Sequence, residues 1–78
     1  MTEHIDELRA IVAATPAAPP AMALYLAKVA DRAHTVTDAD VEALTAAGCS
    51  EDEIFEQTVA AAIAQGLRRL DAAARAIG

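Results

Sequence analysis

The chain has 78 residues, enough for one small domain, and a chain this short buries only about 60 to 65% of the surface its unfolded form would expose. Apolar residues make up 55% of it, but 22 are alanines and only Tyr25 and Phe55 are aromatic, a composition for closely packed helices in which partner subunits supply missing burial. Six Lys and Arg against twelve Asp and Glu give a net charge of −6, which repels nucleic acid and anionic lipid and excludes both as partners.

No stretch is long and apolar enough to span a bilayer, and the start MTEHIDEL has neither a cationic opening nor an apolar signal core. A cytoplasmic protein is expected. One cysteine makes no internal disulfide, and no clustered Cys/His pattern calls for a metal or a cofactor.

In chain order, Ile5, Leu8 and Val12, with Ile11 beside them, recur at intervals of three and four, which predicts an amphipathic helix over 2–14. TPAAPP then breaks it: three prolines within five residues remove amide donors and push their predecessors out of helical geometry. Residues 15–19 are read as a Pro-rich linker. Pro20 suits the first position of a second helix, 20 to about 34, with Met22, Tyr25 or Leu26, Val29 and Ala33 at helical spacing.

Thr37 and Asp40 resemble a capping box that opens a short third helix, with Val41 and Leu44 inward and Gly48 as its stop. Ser50 and Glu53 form the S-x-x-E box of the last helix, and Glu51, Asp52 and Glu53 complement its positive end. That helix is predicted over 51–76. Its inward face is expected to be Phe55, Val59, Ile63, Leu67, Leu70, Ala74 and Ile77, with Glu53, Gln57, Ala60, Ala64, Arg68, Asp71 and Arg75 opposite. Asp71 and Arg75 are spaced as an i,i+4 pair. The fold class is all-α: a single helical domain over 1–78 of about four helices, the last long and Ala-rich, assembling as an oligomer.

Four features invite a chemical reading. Cys49 precedes the N-cap and Ile54 is the fourth helical residue, the spacing of a hydrophobic staple, and the carboxylates at 51–53 oppose thiolate formation. His34 stands before TVTDAD, where histidine serves either as an acid or base near neutrality, with Asp38 or Asp40 beside it, or as a charge at a helix C-terminus. Glu56 borders Phe55, and a carboxylate buried there would hold its proton more tightly. His34 and Glu56 are thus the candidate catalytic pair, whereas Glu51, Asp52 and Glu53 read as helix-start chemistry, not a calcium loop. Gly66 costs its helix about 1 kcal/mol relative to alanine, which implies a close approach either within the subunit or at a subunit interface.

The segment VTDADVEALTAAGCSEDEIFEQTVAAAIAQGLRRLDAA resembles the carboxymuconolactone decarboxylase-like and alkylhydroperoxidase D-like family. The likeness spans roughly residues 20–77 and rests on the A-G-x-S-x-x-E-I joint at Ala47 to Ile54 and the alanine-rich helix ending in Arg69-Leu70. It implies an all-helical subunit that assembles as a trimer or hexamer. The family's redox branch carries C-x-x-C and a histidine on the helix before the joint, and the matching positions here, about Ala33, Val36 and Asp40, hold neither. The resemblance therefore implies a non-redox member: an oligomeric accessory or interaction subunit, with a possible catalytic partner protein. The alternative is a small-molecule enzyme whose pocket lies between subunits and uses His34 and Glu56.

Overall fold

The protein is described by a computed structural model over residues 2–77. Four helices follow in order: α1 (Thr2–Ala14), α2 (Ala23–Arg32), α3 (Asp38–Ala46) and α4 (Glu51–Ile77). Single 3₁₀ turns at Pro20–Met22 and Ala33–Thr35 bracket α2, so the second predicted helix is present with tightened ends. No strand occurs among the described residues.

The breaks follow from local chemistry. Thr15 closes α1 by donating both its amide (3.1 Å) and its hydroxyl (2.8 Å) to the Ile11 carbonyl, and residues 16–19 leave helical geometry. Pro19 is extended (φ −58°, ψ 147°), and its carbonyl accepts from the Met22 amide at 2.9 Å to start the 3₁₀ turn. Met22, the first residue of this segment to enter the core, is fully buried.

The corner between α3 and α4 is tied from both sides. Gly48 takes φ +99°, the Gly48 amide donates to the Thr45 carbonyl (3.1 Å), and the Cys49 amide reaches back to the Leu44 carbonyl (3.0 Å), which together make a Schellman ending. Ser50 then caps α4: Glu53 N–H donates to Ser50 Oγ (3.1 Å) and Ser50 N–H to Glu53 Oε1 (3.0 Å). Cys49 sits between these devices and is buried with Leu44 on one side and Ile54 on the other. The Thr37–Asp40 box forms in the same way at the start of α3.

The core consists of Met22, Tyr25 and Val29 from the second segment, Leu44 and Cys49 from the corner, and Ile54 from α4, with Leu26, Val36, Val41 and Ala61 packed at its edge. Tyr25 Oη and Thr58 Oγ1 lie 2.7 Å apart. Because Thr58 spends its hydroxyl proton on the Ile54 carbonyl (2.6 Å), Tyr25 is the donor, and the chain of bonds stitches α2 to α4. On another side of α4 runs α1, antiparallel to it. Arg9 donates to both Asp71 carboxylate oxygens (2.6 and 3.3 Å), and Gln57 Nε2 donates to the Pro16 carbonyl (2.7 Å).

These contacts correct the predicted inward face of α4. Phe55 is 71% exposed and Ile77 89%, while Ala60, from the face expected to be solvated, is 7% exposed. Besides α3 at the corner, two helices pack along α4 in different sectors: α2 near Ile54, Thr58 and Ala61, α1 near Gln57 and Asp71. Of the predicted inward face Leu67 is buried as expected (8% exposed), while Phe55, Val59, Leu70 and Ile77 are left outside. Asp71 is drawn to Arg9 as well, so Arg75 donates instead to the Asp71 carbonyl, and the expected carboxylate pair is replaced by a main-chain contact.

A Cβ added at Gly48 would meet nothing within 4 Å, so the whole cost of Gly48→Ala lies in its backbone conformation. The variant is expected to lose about 1 to 2 kcal/mol, read as a lower thermal or urea midpoint, and an unchanged midpoint would show that the corner does not need the left-handed residue.

Candidate functional site

At the end of α2 the backbone of Arg32 leaves helical geometry (φ −146°, ψ 54°), and the Thr35 hydroxyl donates to the Arg32 carbonyl at 2.7 Å. This break builds the 3₁₀ turn that carries His34 and aims it across toward α4. There Ala62, Gln65 and Arg69, spaced three and four apart on one helical face, close a hollow of about 330 Å³ whose walls include Val29 and Ala30. Asp31 stands on its rim.

The site thus joins residues far apart in sequence. His34 and Arg69 are 35 residues apart in the chain, and the structure places both on one hollow, with Gln65 also in its lining. Among the described residues neither His34 nor Arg69 takes a hydrogen bond or an ion pair, although Arg68 next door is engaged by Gln65 Oε1. Glu56 is exposed and is not part of this hollow's lining, so a single subunit does not bring the two candidate catalytic residues together there.

The carboxylates suggested as companions of His34 have other work. Asp40 Oδ2 accepts from Lys28 Nζ (2.9 Å) and from the Thr37 amide (2.9 Å), and these bonds, the lysine's first, hold its carboxyl below the usual range. The pair closes one side of a second hollow of about 350 Å³ between α2 and α3, which Arg32 and the exposed Leu24 also border. A third, of about 480 Å³, lies beside the first turns of α4, where Val41, Ile54 and Phe55 face Glu51 and Asp52. Cys49 opens onto none of these three; its side chain belongs to the core.

Among the described residues no three His, Cys, Asp or Glu side chains converge as a metal site, and no helix is long and apolar enough to cross a membrane. Gln65 was not among the residues singled out from the sequence; its spacing with Ala62 and Arg69 fits one helical stripe, but that spacing says nothing of which helix the stripe faces. No family model, curated protein or solved structure matches the chain.

The depressed carboxyl of Asp40 has a pH consequence. Its folded value lies below the ordinary aspartate value of about 3.9, so its stabilising contribution is complete above that value and is lost as pH falls through the lower folded one. Asp71, lowered by Arg9, acts in the same sense. Asp40→Asn is therefore expected to flatten the acid limb of a stability-versus-pH curve without abolishing it, and an acid limb identical to the parent's would remove the assigned role.

Proposed function

We propose that the chain is an oligomeric accessory or interaction subunit, a non-redox helical protein of the carboxymuconolactone decarboxylase-like kind, working in the cytoplasm as a homo-oligomer and alongside a catalytic partner protein. The observation that carries this reading is the apolar surface left uncovered. Leu24 and Ile77 are nearly nine-tenths exposed, Phe55 is 71% exposed, and Ile11 and Leu70 are close to half. A subunit of 8.1 kDa folded compactly would show about 4,500 Å² to solvent, whereas this one shows 5579 Å². Its radius of gyration, 14.0 Å, likewise exceeds the roughly 11.5 Å of a compact domain this size. The excess surface, about 1,080 Å², is larger than the ~800 Å² that each partner contributes to a standard stable interface. The A-G joint and the long helix on which the family resemblance rests support the same reading.

A second reading is favoured by the hollow that holds His34, Gln65 and Arg69: a small-molecule enzyme of the same family kind, with a pocket completed by a neighbouring subunit. Glu56 would then act from a different copy than the His34 it serves.

Native mass by light scattering tests the first reading: a multiple of the 8.1 kDa chain is expected, and a monomer across the micromolar range would overturn it. His34→Ala is expected to leave that mass unchanged. Should the same variant abolish a turnover that the parent protein shows, the second reading replaces the first.

A further inference from the structure

Around α4 the surface divides into three sectors. One, at Ile54, Thr58 and Ala61, is covered by α2, and a second, at Gln57 and Asp71, meets α1. The remaining sector runs the whole length of the helix as Phe55, Val59, Ala62, Gly66, Leu70, Ala73 and Ile77, and every one of these residues is exposed. Their intervals of four and three residues keep them on one line, with large apolar side chains at both ends and small ones in the middle.

Gly66 sits at the centre of that line. A Cβ built there would meet nothing within 4 Å, so close packing inside the subunit does not account for a glycine that weakens its helix. A backbone approaching from outside does. We propose that a second copy of the chain covers this sector, its α4 lying antiparallel across the first with a twofold axis at Gly66. This deepens the oligomeric reading above and rests on it.

Size and charge select that arrangement. About an axis at 66, Val59 faces Ala73 of the other copy, Leu70 faces Ala62, Phe55 faces Ile77, and glycine faces glycine, so large side chains meet small ones toward the middle and each other only at the ends. The N-terminal half of α4 carries Glu51, Asp52, Glu53 and Glu56 with no base, while the other half carries Arg68, Arg69 and Arg75 with Asp71 as its one acid. A parallel pair would set Asp52 and Glu56, which flank the exposed line, against their own copies. The antiparallel pair separates these carboxylates and opposes the two helix dipoles. The surface in excess of a compact monomer, about 1,080 Å², is enough to supply one partner's ~800 Å² share of a standard interface.

Two measurements test it. Because Gly66 is exposed and a Cβ there meets nothing within 4 Å, loss of association in Gly66→Leu with the helical content retained reports on the interface and not on the fold. That variant and Leu70→Glu, each with helical circular dichroism retained, are expected to weaken association at least tenfold. Nitroxides placed by Asp52→Cys in a Cys49→Ala background are expected about 40 Å apart by electron–electron spin resonance, from fourteen residues on each side of the axis at 1.5 Å per residue. A separation near 10 Å would mean a parallel pair and overturn the proposal, as would an unchanged native mass in Gly66→Leu. A trimer built without α4 pairing would overturn it while leaving the oligomeric reading intact, and a monomeric parent protein would overturn both.

Discussion

The fold hangs on the four residues between α3 and α4. A helix cannot simply stop and another start: the ends leave carbonyls and amides without partners, and burying them unpaired would cost several hydrogen bonds. Here Gly48, in a conformation that disfavours other residues, returns two amides to the end of α3, and Ser50 with Glu53 satisfies the start of α4. Cys49 lies between the two devices and is buried in one cluster with Leu44 behind it and Ile54 ahead. The thiol is accordingly part of the core at the joint between the two helices.

Once aimed, α4 acts as the spine on which everything else is arranged. Its alanines and Thr58 let α2 and α1 come close, and hydrogen bonds from Tyr25 and Gln57 and the ion pair with Arg9 fix each helix along it. A core with one fully buried large side chain, Met22, is thin for a free-standing domain, and the elongated outline of 46 × 24 × 18 Å has the same origin. Two helices cover two sectors of a 27-residue rod and leave the third, which is the most apolar, to solvent.

Electrostatics are divided in a comparable way. In a chain with twice as many acids as bases, Lys28 is held by Asp40 and Arg9 by Asp71, so two of the six cations tie helices together. Arg69 is not used for this, and it shares a hollow with His34, whose turn exists because Arg32 leaves helical geometry one residue earlier than the apolar spacing implied. That hollow is where small-molecule chemistry would begin. Exposed surface pairs contribute little to stability, so an arginine facing a hollow is more informative than one in a salt bridge.

The local grammar of the chain was legible without coordinates: the helices, the proline break at 15–19, both capping boxes, the Gly48 stop and the Cys49–Ile54 staple follow from interactions within a few residues of each other. Contacts between helices were not. Phe55, Val59 and Leu70 read as the buried face because they are large and apolar, yet close approach is governed by the small side chains between which two helices fit, and size alone does not rank faces on a helix with two neighbours. Likewise the spacing of Ala62, Gln65 and Arg69 marked a stripe, but only packing turned it toward His34 and left Glu56 elsewhere. Sequence by itself determined the number and order of the helices and the ends that carry caps or breakers, since these act over one turn, but not the 3₁₀ turns that shorten α2 to Ala23–Arg32. Tertiary structure decided which sectors of α4 are covered, because that depends on the angles at which α1 and α2 return to it after their turns.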